Sequence, residues 1–236
     1  FHNDGTAVLN NVYFSGNTAL HGGAIFNGKS DTASVSNAVF DGNSFSSSGG
    51  AIYNDGTLIL ENAEFLTETD TIFNGGTLTF RGNITLNSAL GGTGEYVISK
   101  DTVFVNSVDF SKVNITVDGT LFVDKSVIVA TGVSAINNYT IANSDINDLI
   151  LRVDNGNLIL SKYRTPEISG TVANENTFAG NGDGADLKVT IDNVTAEKVF
   201  GGSDSGKDGK ITTTMENGTI TNFYGGGKVS AESTNL

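Results

Sequence analysis

The chain of 236 residues has no cysteine and only one proline, Pro166. Without cysteine there are no disulfide bonds and no thiolate chemistry. Glycine is abundant at 30 residues, but collagen also needs abundant proline and glycine at every third position, so that class is excluded. Charged residues make up only 17% and short apolar runs recur, which argues against disorder. No apolar run is long enough to cross a bilayer as a helix.

Positive charge is also scarce. Thirteen Lys and Arg residues stand against 26 Asp and Glu residues, which gives a formal net charge of −13. Binding to phosphates needs a basic surface, so we expect neither a nucleic-acid partner nor direct binding of this segment to an anionic membrane. The residues after Phe1 show no signal segment, which we interpret as trimming of an exported chain rather than cytoplasmic residence.

A turn signature recurs in the first third of the chain. Each copy places an aromatic residue near Asn-Gly or Asn-Asp-Gly, and the four aromatic positions are spaced by 25, 27 and 20 residues. An antiparallel meander of hairpins is the alternative, but its turns would return every 8–12 residues or so. The longer period favours a parallel β-helix, in which equivalent residues stack at about 4.8 Å. The aromatic positions are Phe1, Phe26, Tyr53 and Phe73. In such a coil Phe26, Tyr53 and Phe73 form an aromatic stack, and Asn27, Asn54 and Asn74 form a hydrogen-bonded ladder.

A second motif overlaps the first. Phe14-Ser15-Gly16-Asn17 precedes Gly22-Gly23-Ala24-Ile25, and Phe40-Asp41-Gly42-Asn43 precedes Gly49-Gly50-Ala51-Ile52. This FxxN…GGAI arrangement resembles the repeats of the chlamydial polymorphic outer-membrane proteins and related autotransporter passenger domains. The resemblance covers about residues 1–80 and departs from the family in lacking cysteine. It implies a right-handed β-helix that is displayed on the bacterial surface and acts as an adhesin.

The repeat changes along the chain. It is irregular after about residue 91, although β-branched segments continue. Pro166 marks the predicted boundary between a β-helix at residues 1–165 and further coils at 166–236. In the second region Leu187–Asn193 aligns with Ile211–Asn217 at an offset of 24 residues, and a Gly-Gly pair follows each copy. We therefore predict a right-handed parallel β-helix throughout.

Catalysis is the rival hypothesis, because β-helices also occur as polysaccharide lyases and hydrolases. A lyase needs a basic group beside the substrate carboxylate, and a hydrolase needs two carboxylates across the scissile bond. The arginines fall at different phases of the repeat, and the carboxylates fall at turns or strand ends, where we expect them to face solvent. We assign no catalytic residue. The arginines are Arg81, Arg152 and Arg164, and the carboxylates are Asp41, Asp55, Glu61 and Asp70.

Two sets of residues are candidate metal ligands. His2 and His21 could lie on adjacent coils and share a metal ion, but exposed turn histidines are the expected reading. Four aspartates in Gly-rich loops could bracket Ca²⁺ if those loops stack. Solvated turn carboxylates are the simpler interpretation, so no metal or cofactor is predicted. The four aspartates are Asp183, Asp186, Asp204 and Asp208.

These observations predict an extracellular stalk and adhesin at the bacterial surface. Its partner would be a protein or glycan on a host or neighbouring cell. The repeats differ most in length at Ser44–Ser48 and Asp204–Lys210, so we expect these loops to contact the partner while the coils supply rigidity.

Overall fold

The computed structural model describes residues 1–123, 126–171, 177–180, 182, 184–206 and 208–228. About 65% of the chain is β-strand. The described residues contain no α-helix and one 3-10 turn, Gly119–Leu121. The strands are β1 (His2–Asn3), β2 (Thr6–Asn10), β3 (Tyr13–Ser15), β4 (Thr18–His21), β5 (Ile25–Asn27), β6 (Thr32–Ser36), β7 (Val39–Asp41), β8 (Ser44–Ser48), β9 (Ile52–Asn54), β10 (Thr57–Phe65), β11 (Ile72–Asn74), β12 (Thr77–Leu86), β13 (Leu90–Gly91), β14 (Glu95–Ile98), β15 (Thr102–Asp118), β16 (Val127–Ala142), β17 (Leu149–Asp154), β18 (Asn157–Arg164), β19 (Glu167–Thr171), β20 (Thr177–Phe178), β21 (Asp186–Phe200), β22 (Ile211–Met215) and β23 (Gly218–Tyr224).

The chain forms two compact units. The first comprises Phe1–Gly119, Ile128–Ser144 and Leu151–Ile159. The second comprises Thr120–Val127, Asp145–Ile150 and Leu160–Leu236. Parallel coils, about nine in all, build the β-solenoid, which confirms the predicted parallel β-helix. The handedness of the coil and the change of repeat type at Pro166 stay predictions.

In the first unit, equivalent strands of successive coils pair in parallel. One sheet has five strands, and a second sheet continues through strands that lead up to β16. Asn3, Asn27, Asn54 and Asn74 mark the coil lengths, since consecutive members lie 24, 27 and 20 residues apart. The first sheet is β1-β5-β9-β11-β13, and the second includes β2-β6-β10-β12-β14-β15-β16.

Buried and more exposed side chains alternate along each strand, and this alternation separates the core from the surface. In β5 and β9 the outer residues of each triplet are buried, and the central aromatic residue is half-buried and faces outward. Ile25 and Ile52 therefore stack inside the coil. A second internal stack joins the rings of Phe14, Phe40 and Phe65, with centroids 5.2 and 4.4 Å apart. The phenylalanine of the FxxN motif thus packs in the core.

The Gly-Gly pairs allow the coils to approach each other closely. A Cβ added at Gly50 would lie 1.7 Å from the carbonyl oxygen of Thr69. At Gly23 a Cβ would lie 2.4 Å from the carbonyl oxygens of Gly50 and Ser44. Only glycine fits between neighbouring backbones at these two positions.

Asparagines form one corner of the first three coils. Asn11, Asn37 and Asn62 all adopt left-handed backbone conformations, with φ of 56°, 51° and 52°. Asparagine tolerates this region better than other residues with a Cβ. The next coil places Gly82 at the corner, where φ is 64°. These residues let the chain turn between two faces without breaking the stack.

In the second unit, the long strand β21 is the central element. Leu187 lies opposite Ile211, and Phe200 lies opposite Tyr224, so the predicted 24-residue repeat is confirmed. The rings of Phe178, Phe200 and Tyr224 stack with centroids 4.8 and 4.6 Å apart. Beneath them, apolar residues of β21 form a core with Ile168 and Ala185.

The segment Ser44–Ser48 is a strand, so its prediction as a loop was wrong. This strand, β8, pairs in parallel with β4. The hydroxyl groups of Thr18 and Ser44 lie 2.7 Å apart, and Ser48 contacts His21. The serine-rich sequence suggested a loop, but backbone pairing with the preceding coil makes it a strand.

Candidate functional site: an outer aromatic column

A column of aromatic rings runs along the outer face of the first unit. Its members are His2, Phe26, Tyr53 and Phe73, which occupy equivalent positions in four coils. Consecutive ring centroids lie 4.7, 5.3 and 5.1 Å apart, and the interplanar angles are 19°, 1° and 10°. The predicted stack of Phe26, Tyr53 and Phe73 is therefore confirmed. We call this set of four the outer aromatic column.

The first position of the column corrects the sequence alignment. The sequence repeat predicts Phe1 opposite Phe26, but His2 is the residue that pairs with Phe26. The reason lies in the next residue, because the side chain of Asn3 donates a 2.8 Å hydrogen bond to Oδ1 of Asn27. Shifting the strand by one residue would point Asn3 away from the interior.

An asparagine ladder lies behind the outer aromatic column, inside the coil. The side-chain amides of Asn27 and Asn54 each donate a 2.7 Å hydrogen bond to the next member, Asn54 and Asn74 respectively. Asn74 then donates to the backbone carbonyl of Glu95 at 2.9 Å. The predicted ladder is confirmed, and Asn3 extends it by one coil. The inner asparagine ladder (Asn3, Asn27, Asn54, Asn74) fixes the register of the rings outside it.

Carboxylates lie beside the outer aromatic column. A ring nitrogen of His2 lies 3.1 Å from Oδ1 of Asp4, and the hydroxyl of Tyr53 donates to Oδ2 of Asp55 at 3.0 Å. Partial burial and the neighbouring Asp55 both raise the pKa of Tyr53 above the usual value for tyrosine. The column is therefore an aromatic surface with an acidic margin.

The outer aromatic column ends at Phe73. The residue opposite Phe73 in the next coil is Gly91, which has no side chain to continue the stack. A Cβ placed on Gly91 would find only the carbonyl oxygen of Ile72, at 3.8 Å. The backbone of Gly91 is not left-handed, so neither crowding nor conformation demands glycine there. The column thus has an open position at its end.

The two histidines do not face a common site. His2 lies in strand β1, not in a turn as we expected, and its ring stacks on Phe26. His21 lies in β4, where Nδ1 is 2.9 Å from the hydroxyl of Ser48 and the ring leans against Tyr53. Among the described residues, no group of three or more His, Cys, Asp or Glu side chains is placed to hold a metal ion.

Asp70 is buried, which corrects our expectation that it faces solvent. Its Oδ1 accepts hydrogen bonds from the backbone and side-chain nitrogens of Asn43, at 2.8 and 2.9 Å. Its Oδ2 accepts from the backbone nitrogen of Gly42 at 3.0 Å and from the hydroxyl of Thr67 at 2.7 Å. Asn43 in turn accepts from the side chain of Asn17. The Asp70 carboxylate therefore ends a second internal ladder.

The other candidate catalytic groups are dispersed over the first unit and part of the second. Asp41 accepts a 2.5 Å hydrogen bond from the hydroxyl of Tyr13, which raises the pKa of that tyrosine. Exposed Glu61 and Arg81 lie opposite each other on β10 and β12. Arg152 pairs with Asp154 at 3.0 Å. Arg164 lies opposite Leu187 at the end of β18. Among these predicted acids and bases, Glu61 and Arg81 are a pair that lies opposite in register.

The calcium candidates have mostly nitrogen donors as neighbours. Buried Asp186 accepts from the backbone nitrogen of Lys210 at 2.8 Å and the hydroxyl of Ser161 at 3.1 Å, so its prediction as a solvated acid was wrong. Asp208 accepts from the backbone nitrogens of Gly182 and Ser203 at 2.9 and 2.7 Å. Such donors compete with a cation for the same oxygens. Asp204 pairs with Lys228 at 3.2 Å, and Asp183 lies outside the described residues.

A shallow cavity of about 230 Å³ lies elsewhere in the first unit. Its walls combine apolar Leu86, Leu90 and Val108 with the charged residues Asp109 and Lys112. The Ser111 side chain and backbone, more than Lys112, hold the pKa of Asp109 below its usual range. The cavity opens where the coil shortens at β13.

Sequence reasoning missed two parts of this arrangement. Asp70 takes the ladder position that Asn17 and Asn43 occupy in earlier coils, but a longer turn separates it from Phe65, so the FxxN spacing does not detect it. The open position at Gly91 was missed because no aromatic residue occupies the column position of that coil. Gly91 lies 18 residues after Phe73, but the varying coil lengths do not single out that spacing in the sequence.

Comparison of the chain with protein-family models, curated proteins and solved structures finds no match. The resemblance carried by the FxxN…GGAI units therefore stays a prediction. Within the described part of the chain, no helix combines the length and apolar character needed to span a membrane. The fold and the column geometry consequently carry the functional argument.

Proposed function

We propose that this chain is a stalk segment of a bacterial surface-displayed, autotransporter-like adhesin. It attaches the cell to a protein or glycan on a host or neighbouring cell and carries out no catalysis. The observation that supports this proposal is the outer aromatic column held in register by the inner asparagine ladder. A stack of parallel coils repeats one outward position at regular spacing, which suits an extended contact surface.

The FxxN…GGAI units support the proposal because each part of the motif has a defined place in the coil. Phe40 packs between Phe14 and Phe65, Asn43 joins an internal ladder, and Gly50 permits close contact between backbones. The motif is thus a unit of coil stacking, as a stalk requires. The outer surface remains available to vary with the partner.

Exposed apolar side chains add to the available contact surface. Leu20 and Phe45 of the paired strands β4 and β8 are 63% and 42% exposed, and Leu66 in the following coil is 42% exposed. Contiguous apolar patches on a surface commonly mark sites of protein association. We therefore expect the first unit to bind the partner through side chains of its coils rather than through a single long loop.

Attachment can be measured with the complete chain immobilised on beads. We expect saturable binding of the beads to cultured epithelial cells or to bacteria, and competition by the soluble chain. Beads coated with an unrelated protein of similar net charge control for electrostatic adhesion. Absence of saturable attachment to every cell type tested would contradict the proposal, and release of reducing sugars from cell polysaccharides would favour a β-helix enzyme instead.

Because the predicted contact segment Ser44–Ser48 is a strand, a substitution tests it better than a deletion. Deleting Ser44–Ser48 would remove strand β8 and its pairing with β4, so loss of adhesion would not identify a contact. The substitution Phe45→Ser changes an exposed side chain and leaves the strand in place. A lower number of attached beads with a preserved circular dichroism spectrum would place the contact on this face.

A further inference from the structure

The open end of the outer aromatic column has the properties of a ligand site. Phe26 is covered on both faces by His2 and Tyr53, and Tyr53 is covered by Phe26 and Phe73. Among the residues that the structure describes, Phe73 has a ring partner only on the side of Tyr53, because Gly91 follows it in register. An aromatic face carries negative potential, which attracts cations.

The carboxylate of Asp55 lies beside the turn that follows Phe73. Oδ1 of Asp55 approaches Gly75 so closely that a Cβ added there would be 2.3 Å away. In the next coil the backbone carbonyl of Glu95 accepts the Asn74 amide, while the Glu95 carboxylate accepts a hydrogen bond from the hydroxyl of Thr116. The whole chain carries a net charge of −13, so a cationic group is attracted from a distance as well.

We propose that the position above Gly91 binds an arginine or lysine side chain of a basic protein segment, with the cation against the face of Phe73. Asp55 supplies the neighbouring negative charge. This inference rests on the proposed function and names the partner's chemistry, namely a basic peptide on the attached cell. A neutral sugar could also stack on an aromatic face, but the acidic margin favours a cation, and an acidic glycan would be repelled.

The glycine itself provides the sharpest test. Gly91→Leu places an aliphatic side chain where the structure leaves space, and it covers the face of Phe73 without adding a new aromatic face. We expect this variant to keep or raise the melting temperature while it blocks the site. Phe73→Leu keeps an apolar side chain but removes the aromatic face, and Asp55→Asn removes the charge.

Binding is measured with the complete chain and a fluorescein-labelled oligo-arginine peptide by fluorescence anisotropy, at an ionic strength of about 0.15 M. We expect Phe73→Leu and Gly91→Leu to raise the Kd of the peptide about three- to thirtyfold. Glu61→Gln is the matched control for Asp55→Asn, because Glu61 is an exposed carboxylate on another face of the same unit. It should leave the Kd nearly unchanged.

Several results would overturn the inference. Equal weakening by Asp55→Asn and Glu61→Gln would show only general attraction to an acidic chain. Unchanged peptide binding in Gly91→Leu, or binding of a neutral oligosaccharide instead of the peptide, would refute the cation site. The bead assay separates the two proposals: cell attachment that persists without any peptide binding overturns this site and leaves the adhesin function in place.

Discussion

The side-chain amide of Asn27 donates a hydrogen bond to Oδ1 of Asn54 across 2.7 Å, although the two residues lie 27 positions apart in the chain. The same contact continues from Asn54 to Asn74, so each amide both accepts and donates. Because a buried amide without partners is costly, the chain can satisfy these groups only when the coils stack in register. The ladder therefore specifies the register on which the outer aromatic column depends.

Removing the central amide should destabilise the first unit strongly. Asn54→Ala takes away the acceptor of Asn27 and the donor to Asn74, and it leaves both neighbours partly unsatisfied in the interior. We expect a loss of about 2–4 kcal/mol in the free energy of unfolding, measured by chemical denaturation.

Asn10→Ala is a suitable control for this variant. Asn10 also accepts inter-coil hydrogen bonds, from Ser36 and Asn37, but it lies exposed on the surface. A change within about 0.5 kcal/mol is expected there. Equal losses for the buried and exposed asparagines would contradict the role of the inner asparagine ladder.

Asp70 should be needed as a carboxylate. In Asp70→Asn, one oxygen becomes an NH₂ group that faces nitrogen and hydroxyl donors from Gly42, Asn43 or Thr67. We expect a loss of about 1–3 kcal/mol in unfolding free energy, measured by chemical denaturation. The same substitution at half-buried Asp41, which accepts from exposed Tyr13, should change stability far less. Equal stability of the Asp70→Asn variant and the unaltered chain would disprove this requirement.

Close backbone contact makes Gly50 the most sensitive glycine of the GGAI motif. The methyl group of Gly50→Ala would lie 1.7 Å from the carbonyl oxygen of Thr69, and neither backbone can move without loss of pairing. We expect at least about 3 kcal/mol of destabilisation, or failure to fold, in thermal and chemical unfolding experiments. Gly5→Ala, which meets nothing within 4 Å, serves as the control and should fold normally.

The sequence predicts the coil stacking well because stacking repeats its chemistry. Asn27, Asn54 and Asn74 precede similar turns, so a period of about two dozen residues is visible without coordinates. The same regularity predicts the stack of Phe26, Tyr53 and Phe73. Repeated identical residues in a parallel coil necessarily meet each other, and this is why both columns could be named in advance.

The misaligned and buried positions were harder to predict for physical reasons. Phe1 and His2 are adjacent aromatic rings, and only the inward direction of Asn3 selects between them. Asp70 resembles any turn carboxylate in the sequence, and its burial depends on donors brought by another coil. The site at Gly91 is defined by a missing ring. Because coil lengths differ, the sequence does not show at which residue the next ring of the column should stand.

Alkaline pH should weaken the first unit through Tyr96. This side chain is fully buried, and its hydroxyl donates to the carbonyl of Gly91 at 2.8 Å. Burial raises the pKa of Tyr96 well above the ordinary value of about 10. Ionisation therefore favours the unfolded chain: the stabilising effect is complete below about pH 10 and is lost progressively as the pH rises toward the folded-state pKa.

We expect the unfolding free energy to fall above about pH 10 by up to roughly 1.4 kcal/mol per pH unit for this tyrosine alone. Tyr96→Phe has no ionisable hydroxyl, so its stability should decline less steeply, although it starts lower by about 1 kcal/mol because the Gly91 carbonyl loses its partner. Chemical denaturation of both proteins at several values between neutral and alkaline pH measures the difference. The two curves should converge as the pH rises, because only the unaltered chain must keep a buried phenol protonated. Parallel curves would contradict the assignment, since Tyr13 and Tyr53 are present in both proteins and cannot produce the convergence.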